Sequence, residues 1–449
     1  MRRRFLAVWL VTSAVYVLLA VLGPSAPSTT TGWPRANQHL LQTRSWLGED
    51  IRLPDGSTVE VEPRLDVTPY VAHRVVADPR DEAILANIAC ALQVGGELVP
   101  LQLVRDPDLD RAVCYVGFPL GPSLLLLPLR AALRGALATQ WLAALLAGLA
   151  VAAADRLLGL WLELRGLRPR WNGLHLTVLV ASGTLWLLAA PDGGTFLFAQ
   201  VVGSTALTVS LLLAWRGRPL GAGAALAFAL TSRPPTLLAA PLLALLAWRS
   251  TPPDGRARAA ARLLTPPLLL GSLQLLLNGL RFGSPLQFGY AYMLTPPRLW
   301  QRLQEHGQLD PAFVGDNAWW QLLAPPRLLD GFPWLASDPM GMGILFVTPA
   351  FAAGLLTLRP QLLRQPEVAA CWLSLVLVTL PALLYFNTGW VQWGGRFLLD
   401  AWPLWLLLAA AGLERLPRWT ALALIGLSVV SNVWGSLLTT FGVWPGCVM

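Results

Sequence analysis

Two arginines and one run of carboxylates are the groups in this chain best placed to do chemistry. Arg233 lies in Ser232-Arg233-Pro234-Pro235, between two apolar stretches. An arginine set among apolar segments is a functional candidate, because its planar fork matches a phosphate. A helix-end arginine reaching out to water is the competing reading. Arg396 follows Trp390, Trp393, Gly394 and Gly395, and Asp400 lies one helical turn beyond. That i, i+4 spacing predicts a structural pair between Arg396 and Asp400, with phosphate recognition by Arg396 as the alternative. Residues 24–115 carry many acids, Glu49 and Asp50 among them, together with His39, whose ring titrates near neutral pH. Residues 281–339 are rich in aromatics, including Tyr290, Trp319 and Trp334. Such rings stack on sugar faces, or form the interfacial belt of a membrane protein. There is no HExxH, no glycine-rich phosphate loop and no nucleophile elbow. Cys90, Cys114, Cys371 and Cys447 make no CxxC and have no histidine at metal spacing. Cys90 and Cys114 flank one loop and can form a disulfide, while Cys371 reads as a small core residue.

These residues need a frame, and the frame is apolar. Of the residues, 55% are hydrophobic and only 13% charged, about half the charge of a soluble domain. Apolar segments recur from Phe5 to Trp444, many near the roughly 18 residues that cross a bilayer. The expected fold is an all-α integral membrane protein of about eleven transmembrane helices, within a range of roughly ten to thirteen. All 33 basic residues are arginine, and most sit in short loops where the positive-inside rule puts them. The net charge of +8 therefore speaks of topology and not of nucleic acid. Arg2, Arg3 and Arg4 place the N-terminus in the cytoplasm, which puts 24–115 and 281–339 outside as two large extracytoplasmic loops. Residues 1–449 form one polytopic domain, expected in a bacterial inner membrane. Phe5–Gly23 reads as an uncleaved first helix, because Gly23-Pro24-Ser25-Ala26-Pro27 is a poor cleavage site. Gly117–Arg134, rich in proline and glycine, reads as half inserted rather than spanning. Within the first loop, His39–Leu47 reads as a helix and Arg52–Val61 as a turn or hairpin.

The order of features resembles the GT-C superfamily of polytopic glycosyltransferases, in particular its protein-mannosyltransferase and aminoarabinose-transferase branch (family 39), and looks closest to bacterial members of that architecture. One helix and a large acidic loop come first. A proline-rich start to the next apolar segment follows, Tyr115-Val116-Gly117-Phe118-Pro119-Leu120-Gly121-Pro122. A small-residue helix then ends in Ser232-Arg233-Pro234, and Asn278-Gly279-Leu280-Arg281-Phe282-Gly283-Ser284-Pro285 comes after it. The last motif runs from Gly389 to Asp400. The resemblance implies a fold with two extracytoplasmic loops over a site that takes a sugar on a polyprenyl phosphate. It also implies an acid early in the first loop, as base or metal ligand. Here that stretch, Arg35-Ala36-Asn37-Gln38-His39, carries Asn37 at the expected position.

The function implied is transfer of a sugar from a polyprenyl-phosphate-linked donor to a glycan, lipid or protein acceptor at the outer face of the membrane. Arg233 and Arg396 would hold the phosphate. His39, Glu49 or Asp50 would take the acceptor's proton. Tyr290, Trp319, Trp390 and Trp393 would position the sugar. The reading names no certain cofactor and leaves a divalent metal possible. Two alternatives stand beside it. A catalytically silent membrane scaffold of the same fold fits Asn37. A lipid or sugar transporter fits less well, because the apolar interiors hold almost no charge and show no inverted repeat.

Overall fold

The computed structural model describes residues 2–22, 37–52, 57–71, 88–94, 97–104, 112–133, 139–293, 295–389 and 392–440. They are mostly helical, and seven helices are long and apolar enough to cross a membrane. The first is α1 (Arg2–Leu22), after which the first loop opens with a short helix, α2 (Gln38–Leu47). Asn37 caps α2, accepting from the backbone N–H of His39 and Leu40. Ile51–Arg52 and Thr58–Val59 then pair as the expected hairpin. A three-stranded antiparallel sheet follows, β1 (Ile88–Val94), β2 (Glu97–Pro100) and β3 (Ala112–Val116), with β1 in the centre. Cys90 and Cys114 face each other across β1 and β3 and are disulfide-bonded.

The next helix, α3 (Gly121–Leu133), is apolar but only 13 residues long. That is about 20 Å, too short to span. It packs against α2, and Arg130 in its last turn pairs with Glu49. The remaining principal helices are α4 (Thr139–Glu163), α5 (Leu174–Ser182), α6 (Thr195–Trp215), α7 (Pro219–Ser232), α8 (Ala240–Arg249), α9 (Arg256–Phe282), α10 (Pro297–His306), α11 (Pro366–Leu384), α12 (Trp402–Leu413) and α13 (Arg418–Thr440). Several expected passes are broken or short. Thr184 separates α5 from a turn of helix at Trp186–Ala189, and Pro349–Leu358 winds as a tight 3₁₀ helix beside α12.

Small residues let these helices touch, as is usual where helices pack inside lipid. Ala143, Ala147, Ala150 and Val151 of α4 are wholly buried. A Cβ at Gly412 of α12 would strike the Ala353 carbonyl, and one at Gly148 would strike Ser13 of α1. Large rings fill what remains: Trp186 stacks on Trp402 at 4.3 Å, and the Trp402 indole donates to Thr184 Oγ1 at 3.0 Å.

Side-chain bonds define two ends of the bundle. At one, Arg4 pairs with Asp155, Arg170 and His175 meet Glu414, and Arg249 pairs with Glu367. At the other, Asn37 and Thr139 both donate to the Gly193 carbonyl, and Arg233 meets Asp400. The two large loops cover this second end together. Ala89 of β1 bridges to Met293, and Ala89, Phe282 and Met293 form one apolar cluster with Tyr115, Phe118 and Tyr290 against it. On the far side, Leu303 of α10 packs with Phe313 and Phe386, with Tyr385 against them.

Candidate functional site

The second end of the bundle, under both loops, is where the charged residues of the motifs meet. Arg233 leaves the C-terminus of α7 in extended conformation, where Pro234 and Pro235 stop the helix. Gly203 on α6 makes room for its side chain, since a Cβ there would lie 2.8 Å from Arg233 Cγ. The guanidinium then grips Asp400 with both prongs, Nε to Oδ1 at 2.8 Å and Nη2 to Oδ2 at 2.8 Å. The expected Arg396–Asp400 pair is therefore replaced by Arg233–Asp400. The reason is local geometry: Arg396–Ala401 winds as a 3₁₀ helix. With three residues per turn, position i+4 sits about 120° around the axis from i, so the two side chains diverge.

Arg396 is left without a carboxylate partner among the described residues. Its backbone is fixed, because Gln200 Nε2 donates to its carbonyl at 2.8 Å. Its guanidinium lies over the rings of Phe196 at 4.7 Å and Phe397 at 5.4 Å, a cation–π arrangement. Its Nε is buried and bonds to nothing. Arg233 sits over the other part of the site, 5.6 Å from the Phe397 ring. Phe118 meets Phe196 edge-on at 5.4 Å, and His39 lies 5.8 Å from Phe118. Tyr290 and Tyr385 complete the wall, with their ring centroids 6.0 Å apart. Asp192 lies within electrostatic range of Arg396 and accepts from the Gly194 N–H at 2.6 Å.

The first-loop bases are not delivered to these arginines in working form. Glu49 is held by Arg130 at the far end of α3, with Arg44 beside it. The Arg130 hydrogen bond holds its carboxyl below the usual range, against the opposing effect of burial. Asp50 accepts from the Val61 N–H at 3.2 Å and so tethers the loop. His39 is fully buried, its Nδ1 3.3 Å from Ser123 Oγ. Burial pushes its imidazole down to about 3, against a smaller opposing effect of the Thr195 backbone. A base that weak is poorly matched to neutral pH.

The aromatics divide in the same way. Tyr290 is at the site. Trp393 is 2% exposed and packs with Met342, Val347 and Leu438. Gly435 of α13 lies so close under its ring that no Cβ would fit. Trp393 is thus an anchor between segments and not a surface for sugar. Trp319 stands 48% exposed on the 319–323 turn. Trp390 lies outside the described residues. Among the described residues, no three His, Cys, Asp or Glu side chains gather where they could share a metal ion. An interior cavity of about 20 Å³ lies beneath Gly394 and Gly395, between Thr184, Thr348 and Trp402. It has room for one water and none for a sugar.

Asn37 has a specific reason to be an amide. Its Oδ1 caps α2, and its Nδ2 donates to the Gly193 carbonyl at 2.8 Å, tying the first loop to the turn that carries Asp192. Asn37→Asp would keep the cap but set a carboxylate oxygen against that carbonyl. The loss should be about 1–3 kcal/mol, read as a lower midpoint of thermal unfolding in detergent. An unchanged or raised midpoint would remove this account of Asn37.

Sequence reasoning missed Asp192, Phe196, Tyr385 and Phe397 as site residues. Phe196, Tyr385 and Phe397 stand at or beside helix ends and Asp192 in the turn before α6, and their shared signal was an aromatic or acid where an apolar segment meets a loop of the same side. No protein-family model, curated protein or solved structure matches this chain.

Proposed function

We propose that the chain is a membrane glycosyltransferase that moves a sugar from a polyprenyl-phosphate donor to an acceptor. One observation carries the reading. Two arginines from separate segments meet beneath both large loops, and among the described residues only Arg233 of the two has a carboxylate partner. An unpaired guanidinium stacked between rings, in a site walled by Tyr290 and Tyr385, is suited to an anionic group carried by an apolar molecule. The donor's phosphate binds Arg396. The acceptor oxygen attacks the anomeric carbon, the bond from that carbon to the phosphate oxygen breaks, and the electron pair leaves with the phosphate. The acceptor's proton passes to a carboxylate near the arginines, and the candidate is Asp192, which lies within electrostatic range of Arg396 and itself accepts from the Gly194 N–H. The test is transfer of sugar from membrane lipid extracts to candidate acceptors by the purified protein. Absence of transfer by wild-type protein from every extract would favour the second reading, a silent scaffold, which the loss of the first-loop bases supports.

The same proposal fixes orientation. The chain makes eleven passes, with the arginine-rich end in the cytoplasm and the site at the outer face of the plasma membrane. A reporter active only in the cytoplasm should give signal when fused after Arg262 and none after Gln308. The reverse pattern, or signal at both points, contradicts this topology.

A further inference from the structure

We infer that Tyr385 is a further phosphate-binding residue, its hydroxyl donating to the anion that Arg396 holds. The inference rests on the reading of Arg396 as the phosphate site. Tyr385 follows α11 and sits edge-on to Phe397, centroid to centroid 5.6 Å at 81°. The same Phe397 ring lies 5.4 Å from the Arg396 guanidinium and 5.6 Å from that of Arg233. Phe397 is therefore the ring shared by both guanidinium groups and Tyr385, and both arginines lie within electrostatic range of the Tyr385 phenol.

The placement is firm. Asn317 Nδ2 donates to the Tyr385 carbonyl at 2.7 Å, and a backbone bridge joins Tyr385 to Leu309. Tyr290 closes the other edge of the ring. A buried tyrosine hydroxyl normally finds a partner. The Tyr385 hydroxyl has none among the described residues, and its side chain is half-buried. Burial pushes its ionisation up, against the opposing pull of Arg233 and Arg396, so the phenol stays a donor at neutral pH. A neutral O–H aimed at an anionic oxygen makes a short, strong hydrogen bond. Its neutrality also lets it sit among two arginines and an aspartate without changing the site's charge.

Tyr385→Phe removes the oxygen and keeps the ring contacts, which spares the fold. The measurement is binding of farnesyl phosphate to the full chain in a neutral detergent, followed by tryptophan fluorescence. Farnesol and inorganic phosphate serve as separate probes. Wild-type protein should bind farnesyl phosphate better than either. Tyr385→Phe should weaken farnesyl phosphate binding about tenfold and leave farnesol unchanged. If Arg396→Gln loses binding while Tyr385→Phe keeps wild-type affinity, the role of Tyr385 is overturned and the Arg396 site stands. If Arg396→Gln also binds as wild type, the phosphate site itself is overturned. If both variants lose farnesol as well, the effect is on the apolar site and the proposed hydrogen bond falls.

Discussion

Replacing Arg396 by lysine should lower turnover by about tenfold to a hundredfold, while Arg415→Lys leaves it near wild type. Arg396 lies over Phe196 and Phe397 with its Nε free. Lysine keeps the charge but loses the flat stacking and the two-pronged grip. A hydrogen bond to a charged group contributes about 1.5–3 kcal/mol, and each 1.4 kcal/mol is about a factor of ten in rate. Arg415 sits at the opposite end, donating to the Ala411 carbonyl of its own helix, where the proposed topology puts a cytoplasmic loop that any cation suits. The assay is sugar transfer normalised to folded protein. Equal turnover of Arg396→Lys and wild type would take Arg396 out of the site.

The second large effect concerns stability. Asp400 is 2% exposed at its side chain and Arg233 19%, and they form one bidentate pair. Removing one partner strands a buried charge, which costs about 3–5 kcal/mol. Arg233→Gln and Asp400→Asn should each lower stability by that order, and the double variant should lose much less than the sum. Arg396→Gln combined with Asp400→Asn should be close to additive. Unfolding in mild detergent with added denaturant reads both cycles. Strong coupling of Asp400 to Arg396, and none to Arg233, would contradict the observed pairing.

That pairing shows where sequence reading reached and where it stopped. The apolar segments, the α2 helix behind Asn37 and the hairpin from Ile51 to Val59 were legible, because local pattern and capping decide them. The alternation of arginine-bearing loops also foresaw which residues share an end: Arg4 with Asp155, Arg170 with Glu414, Arg233 with Asp400. Partner choice was not legible. The spacing of Arg396 and Asp400 implies a pair only if the backbone is α-helical, and it is not. Trp393 looked like a ligand surface because nothing near it in sequence shows Gly435 beneath its ring. The sheet of β1 to β3 was hidden in a loop that reads as polar, since its central strand is buried on both faces by distant segments and the alternation that marks a half-buried strand is lost.

Bonding inside the first loop also explains why its carboxylates are not turned toward Arg233 and Arg396. Glu49 is one residue short of Asp50 in the chain, yet each serves the loop's own fold, one through Arg130 and the other through Val61. These polar residues hold the first loop together, and in the proposed function the chemistry falls to residues below it.

Bond cleavage in the donor is the most direct measure of the central claim. Purified protein in lipid vesicles is given a polyprenyl-phosphate sugar and an acceptor extract, and the lipid products are resolved by mass. The account predicts free polyprenyl monophosphate appearing in step with glycosylated acceptor, both strongly reduced in Arg396→Lys. Donor that changes leaflet with its sugar still attached, or donor that stays intact under wild-type protein with every acceptor, would contradict it.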